Sequence, residues 1–507
     1  MTSGSLPSGF NAEAAAQQML ELAELTPTAT EPTTLATAPP APVTSDGLLP
    51  ESLTDRGNAK LFVRMYGRDF KHVPGLGWYR WDVYRWIPDE SEAVLWAAGE
   101  MADQLANIDR THRYTAADLR RHKKRALSTA GIHAMLVQAR AAPGMALNAA
   151  MLDADPYALC TPAGVVDLRT GVIAAPDPER HLHSRSTTLA PQAGPIPRWE
   201  RFLADTFGDD AEGKETIDFL HLMLGYSISG DVGAQVLPFL FGAGKNGKSV
   251  LLEVMLQLLG DYADAAPPGF LMAKSFNEHP TDLSELHGRR VIVCSELKPG
   301  DRFDEARVKL LTGGDKIKAR RMRQDYFSFD PTHHLWLLGN HRPEVTTGGF
   351  AFWRRLRLIP FERVVAEEHK IDNLARILVD EEGPGILAWL VDGARRYLSG
   401  EKDLSGPQRV RLATDAYEAT EDVVGRFIGD ACVLDASLRA EQTSLYAAYT
   451  RWCGSEGATP VSARNFAARI RDTLRMASPK DMILSNSRKF YPGIGLSSEF
   501  SGEEPRR

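Results

Sequence analysis

Hydrophobic positions along this chain fall into short unbroken runs and longer helical rhythms, and their alternation marks out the middle of the protein. An apolar run from Val236 to Phe241 has the length of a buried strand, and Val250 to Leu259 that of a helix. Further strand-like runs cover Arg290 to Cys294 and His334 to Gly339, and a fourth ends at Phe361. Strands alternating with helices predict an α/β core over residues 199–400, led by helices from Trp199 to Ser227 and closed by one from Asp372 to about Ser399.

The flanks read differently. The stretch from Gly77 to Trp86 alternates and is dense in tryptophan and tyrosine, which predicts a β-hairpin. Aromatics interleaved with arginine can stack on nucleic-acid bases, but packing into a small core is their usual role and weighs more. Helical patterns follow from Ala93 to about Ala142. A second hairpin is predicted between Gly164 and Ile173, turning at Arg169-Thr170-Gly171, and Pro191 to Pro197 reads as a linker. Residues 53–198 are therefore expected to form an α+β domain. From 421 to 495 short helical patterns precede a strand at Lys489-Phe490-Tyr491, and Ser462 caps a helix with several arginines. A winged helix-turn-helix and a helical bundle with a charged face both fit. Residues 1–52, rich in Ala, Pro, Thr and Ser, and the tail 496–507 are expected to be disordered, with a transient helix at Ala12 to Leu25.

Composition narrows this only a little. With 507 residues, 43% hydrophobic and 25% charged, the chain has room for two or three ordinary domains. Its formal net charge of −7 argues against a generally basic surface, yet basic groups can be confined to one loop or channel. Four scattered cysteines without Cys-x-x-Cys pairing suit a reducing compartment and argue against a disulfide framework or a zinc site. No signal peptide or membrane span is read, so a cytoplasmic location is expected.

The chemistry begins at Gly242-Ala243-Gly244-Lys245-Asn246-Gly247-Lys248-Ser249, a complete phosphate-binding P-loop between strand and helix. Its glycines let backbone N–H groups turn inward, and the helix continuing through Val250 adds its positive end. Lys248 would reach the terminal phosphates of ATP, and the Ser249 hydroxyl would hold Mg²⁺. Glu296, just past the second strand, is the candidate to orient and deprotonate the attacking water, close to the metal. Ser295 precedes it where many motors carry an acid. Asn340, at the end of the third strand, is placed to sense the terminal phosphate; an ordinary turn cap is its plainer reading.

Between those strands, Gly313 to Asp325 crowds Lys318, Arg320, Arg321 and Arg323 into an otherwise acidic protein, as a hairpin gripping phosphates in a channel would. A solvated basic face is the alternative. Arg354 and Arg355 head the fourth strand, where one could stabilise charge on a transferring phosphoryl group as an arginine finger. A P-loop phosphotransferase would leave the hairpin and the arginine pair without a purpose.

In this order the motifs resemble those of a superfamily 3 helicase of the phage and plasmid primase–helicase family, related to the poxvirus primase–helicase. Further matches are Leu224-Gly225-Tyr226-Ser227, Leu310-Leu311-Thr312-Gly313-Gly314-Asp315 and Arg323-Gln324-Asp325-Tyr326-Phe327. The likeness covers roughly residues 55–490. It implies an AAA+-like core assembled as a ring, expected to be a hexamer, moving on single-stranded DNA with ATP between subunits. It also implies a winged-helix-like domain at the C-terminal end. Carried over, Lys248 and Ser249 bind phosphates and Mg²⁺, Glu296 is the catalytic acid, Asn340 the sensor, and Arg355 the finger acting on a neighbour. Lys318 to Arg323 would grip DNA. Members often carry a preceding primase–polymerase domain. Here only the disordered stretch is read before residue 53, so primer synthesis is not expected and a separate primase or other replisome protein would be a partner. An ATP-switched origin-binding or helicase-loading factor is the competing expectation.

Overall fold

The computed structural model describes residues 49–106, 114–273, 281–295, 297–320, 326–346, 348–366, 370–476, 478, 481–485, 488–497 and 500. Glu296, Arg321, Arg323, most of the segment read as disordered at the N-terminus and nearly all of the C-terminal tail lie outside the described residues. The fold is mixed α/β and contains a parallel sheet.

The N-terminal part starts with α1 (Asp55–Tyr66), whose first turn is capped by the Thr54 hydroxyl accepting from the Gly57 N–H at 3.1 Å. Strands β1 (Phe70–Val73), β2 (Gly77–Asp82) and β3 (Arg85–Pro88) form an antiparallel sheet. The tryptophan-rich hairpin packs inward: Trp86 is fully buried, edge-on to its cross-strand partner Trp81 at 5.4 Å. Helices α2 (Ala93–Ala106), α3 (Ala116–Ala126) and α4 (Thr129–Ala139) follow. The second hairpin is β5 (Gly164–Asp167) with β6 (Ile173–Ala174), and β4 (Ala158–Thr161) completes its sheet.

Helices α5 (Pro197–Phe207) and α6 (Ala211–Ile228) lead into the central sheet. It takes β7 (Leu237–Phe241), then α7 (Lys248–Leu259), β8 (Ala263–Ala265), β9 (Val291–Cys294) and α8 (Glu305–Leu311). A hairpin of β10 (Ile317–Arg320) and β11 (Tyr326–Phe329) comes next, then β12 (His334–Gly339), the short α9 (Phe350–Trp353) and β13 (Leu356–Pro360). The strand order is β13-β7-β12-β9-β8, parallel throughout. Alternate side chains enter opposite cores. Leu240, Val293, Trp336 and Ile359 join one cluster with α6, α7 and α10 (Leu374–Leu398), while Phe239, Ile292, Leu337 and Leu358 join the other. Burial on both faces is why these strands read as unbroken apolar runs.

Two contacts lock the helical layer to the sheet. Gly225 of α6 faces the backbone of Gly393 so closely that an added Cβ would sit 2.1 Å from it. The Glu382 carboxylate of α10 accepts from the Arg198 and Trp199 N–H groups at 2.9 Å each, closing the open start of α5.

The C-terminal unit runs α11 (Gln408–Glu421), α12 (Val423–Ala431), β14 (Cys432–Glu441), α13 (Gln442–Glu456), α14 (Ala463–Thr473), β15 (Ile483–Ser485) and β16 (Arg488–Leu496). Its antiparallel sheet has the order β14-β16-β15 around its own core. The sequence reading missed β14. Most of the strand is exposed, and its pairing with β16 shifts register between Leu434 and Arg439, so no period survives to be read. From α14, Arg469 donates to the Gly348 carbonyl at 2.9 Å and pairs with Asp422 at 3.1 Å.

Among the described residues no helix is long and apolar enough to cross a membrane. Replacing Glu382 by Ala should lower the unfolding free energy by about 1–3 kcal/mol, since two backbone donors lose their acceptor. Denaturant titration of the variant beside the parent checks this, and an unchanged midpoint would refute it.

Candidate phosphate-binding site and basic hairpin

The loop from Gly242 to Gly247 leaves the end of β7 and enters α7 through Gly247, whose φ of +87° falls in the left-handed region that favours glycine. Beneath it stands α5: a Cβ on Gly247 would come within 3.0 Å of the Phe202 ring. Lys248 is buried and turns back into the loop. Its ammonium donates to the Gly242 carbonyl at 2.9 Å, the Ala243 carbonyl at 2.7 Å and the Asn246 side-chain oxygen at 2.7 Å. Three N–H donors meet three acceptors. Burial pulls the ammonium down to about 8. Asn246, also buried, donates its amide to the Phe361 carbonyl at 2.7 Å, and Lys245 at the loop tip accepts from the Val365 N–H at 2.9 Å.

The ends of two neighbouring strands complete a cavity of about 390 Å³ above this loop. Ser249 and Val250 line it from α7, Asn340 and His341 from the end of β12, and Leu297 from just past β9. Ser249 and Asn340 are both exposed there. Glu296, the chain neighbour of Leu297, lies outside the described residues. The donor set fits a magnesium–triphosphate: an ammonium, a hydroxyl and an amide around a glycine-rich turn. Among the described residues no group of three or more His, Cys, Asp or Glu could hold a metal ion. Ser249 would then share Mg²⁺ with phosphate oxygens and water, as that ion prefers.

The two arginines separate sharply. Arg355, expected as the finger, is only 7% exposed, and its guanidinium is spent within its own chain. It donates to the Thr312 hydroxyl at 3.0 Å, the Gln235 side-chain oxygen at 3.2 Å and the Ala351 carbonyl. Arg354 is exposed and shares Gln235 at 2.5 Å. A side chain that must reach a neighbouring subunit needs exposure, so the geometry favours Arg354.

The basic hairpin forms with Ile317 and Ala319 buried and Lys318 and Arg320 exposed, the alternation a half-buried strand demands. Tyr326, 54% exposed, sits directly across from Arg320. Lys318 and Arg320 approach its ring at 5.0 Å and 5.5 Å. Sequence reasoning quoted Tyr326 only as part of a motif; the two-residue period from Arg320 across the turn was the signal available. Thr312, Gln235, Leu297 and His341 carried no chemical signal of their own.

The fold and the site define a mixed α/β protein with a glycine-rich loop at the mouth of a parallel sheet. Three family models match in chain order: D5 N terminal like over residues 59–208, a family of unknown function (DUF5906) over 240–355, and Poxvirus D5 protein-like over 419–488. The chain belongs to the D5-like primase–helicase family. It is 28% identical over 235 residues to a protein of Acanthamoeba polyphaga mimivirus provisionally named a helicase, covering 43% of this chain and 24% of that one. A protein of Invertebrate iridescent virus 6, also provisionally named a helicase, is 26% identical over 228 residues, 39% of this chain and 24% of its own. A provisionally named primase of African swine fever virus is 21% identical over 326 residues, 59% and 34% respectively. The chain thus spans about a quarter to a third of the length of these relatives. Among solved structures, the apo form of the NrS-1 C-terminal region aligns at a TM-score of 0.38 and 13% identity, covering 55% of this chain and 62% of that one.

The Lys248 ammonium predicts a pH dependence. Bound polyphosphate favours the charged form, so below about 8 binding needs no proton, and above it each event must take one up. Affinity for inorganic tripolyphosphate should be flat below that point and fall by about tenfold per pH unit above it. Calorimetry at about pH 9 in buffers of different ionisation enthalpy should register proton uptake; none there would refute the assignment.

Proposed function

We propose that this chain is the motor part of an ATP-dependent DNA helicase. It would work as a ring, with six subunits as the expected count, moving along single-stranded DNA during phage or plasmid replication. One observation carries the reading. The cavity lined by Ser249 and Asn340 and the basic hairpin with Tyr326 are built on consecutive segments of the same sheet, because the hairpin is the connection from β9 to β12. The strand order β13-β7-β12-β9-β8 supports an AAA+-like core. Helicase-type relatives in the same family support the enzyme class.

In the proposed cycle, Lys248 leaves its carbonyl partners to meet the β- and γ-phosphates, and bound Mg²⁺ neutralises phosphate charge beside Ser249. Glu296 takes a proton from the attacking water, and Asn340 holds the terminal phosphate. Arg354 reaches the same phosphate in the adjoining subunit. Lys318 and Arg320, with Arg321 and Arg323 in the intervening turn, pair with DNA phosphates, and Tyr326 stacks on a base. A separate primase or other replisome protein would complete the machinery.

A second reading, an ATP-switched origin-binding or loading factor, draws on the C-terminal unit. Its order of helix, strand, two helices and two strands supports a winged-helix-like domain with arginines on α14. That reading expects sequence-specific duplex binding that survives Glu296→Gln, with no processive unwinding.

Purified protein with ATP and Mg²⁺ should displace a strand from a forked duplex, and Lys248→Ala should abolish displacement; persistence in that variant would overturn the proposal. Tyr326→Ala should weaken single-strand affinity by about 1–3 kcal/mol without changing its salt slope, whereas Lys318→Ala with Arg320→Ala should flatten the slope. Fluorescence anisotropy across a salt series separates the two, and wild-type behaviour in both would remove the hairpin from the DNA path. Mixing Arg354→Ala with Lys248→Ala subunits should restore some ATPase activity. Mixed rings that form but stay inactive would count against action between subunits.

A further inference from the structure

A second cavity, of about 530 Å³, opens near the loop on the side away from Asn340. We propose that it receives the base and ribose of the nucleotide whose phosphates the loop holds; this rests on the triphosphate reading of the loop. Sheet order supplies the first reason. The cavity holding Ser249 and Asn340 lies toward β12 and β9, on one side of β7, and β13 lies on the other. A nucleoside triphosphate is elongated, so with its terminal phosphate at Asn340 the rest must lead away across the loop. The loop is fastened toward β13 by Asn246 on the Phe361 carbonyl and by the Val365 N–H on Lys245. The second cavity opens at that strand end, between Pro360 and the first residues of α6 and α11.

The chemistry of its walls supplies the second reason. Arg409 is paired with Glu362 at 2.6 Å, and Arg363 lies 3.7 Å from Asp210. Glu212 adds a third carboxylate. Cations already paired, among more carboxylates than cations, make a poor seat for phosphate. The carboxylates can accept hydrogen bonds from an exocyclic amino group and from ribose hydroxyls. Opposite them Leu412 holds an apolar side chain 58% exposed on α11, beside Pro360, a flat wall for a base. Such a mixture, mostly apolar walls with a few polar groups, and such a volume are usual for small-molecule sites.

The test compares ATP with inorganic tripolyphosphate, measured by calorimetry on the full chain. The parent protein should bind ATP more tightly than tripolyphosphate. Leu412→Glu, an exposed position whose change leaves the core intact, should weaken ATP by about tenfold and leave tripolyphosphate unchanged, while Leu412→Met should keep ATP binding. Equal affinity for the two ligands in the parent, or equal losses in Leu412→Glu, would overturn the groove and leave the loop reading standing. Binding of neither ligand by the parent would overturn the loop reading, and this inference with it.

Discussion

The side-chain amide of Asn246 is the constraint on which the site depends. Its oxygen takes a proton from Lys248 at 2.7 Å, and its nitrogen gives one to the Phe361 carbonyl at 2.7 Å. One buried group thus sets the curl of the loop and ties the exit of β7 to the exit of β13. Gly242 accommodates the tie: a Cβ there would meet the Phe361 oxygen at 2.1 Å and the Asn246 amide at 2.6 Å. Both hydrogen-bonding ends of the amide are used inside the protein, where leaving either unpaired is costly. The loop is therefore held open as an anion seat with its own lysine as occupant.

Around that seat the parallel sheet divides labour by strand position. Strands β12 and β9, to one side of β7, end in the residues that line the phosphate cavity, and their connection projects the basic hairpin. Strand β13, to the other side, ends in Pro360 and Phe361 beside the collar helices α5 and α6. The net charge of −7 gains meaning in this setting. Lys318 and Arg320 stand out on a hairpin whose inward positions, Ile317 and Ala319, are sealed in the core. The grip is local, and the rest of the surface is free to be acidic.

Much of this was legible from sequence because the physics is local. Strands buried on both faces read as apolar runs, which is why β7, β9, β12 and β13 fall where the pattern predicts. The P-loop is legible because backbone curvature demands glycine at fixed spacing. What failed to show depends on distance in sequence. Arg354 and Arg355 are adjacent and alike, and only the fold reveals that Thr312 and Gln235 draw one of them inward. Tyr326 becomes part of the basic cluster through a register set by the hairpin. Strand β14 is exposed and bulged, so neither burial nor period announces it. The tryptophans of the N-terminal hairpin, open to two readings as sequence, take the structural one because Trp86 is fully enclosed.

The contact made by Arg469 changes how the C-terminal unit should be pictured. That one guanidinium grasps the Gly348 carbonyl, just ahead of the helix carrying Phe352 and Trp353 toward Arg354, and at the same time Asp422 at the start of α12. A further strut runs from Glu421 to the Val345 N–H at 2.9 Å. The unit is hinged on the motor rather than hung from it by a tether. A load applied to α14 would reach the exposed arginine through two hydrogen bonds and a single turn of chain, giving the subunit a short lever between its outermost helix and its neighbour-facing edge.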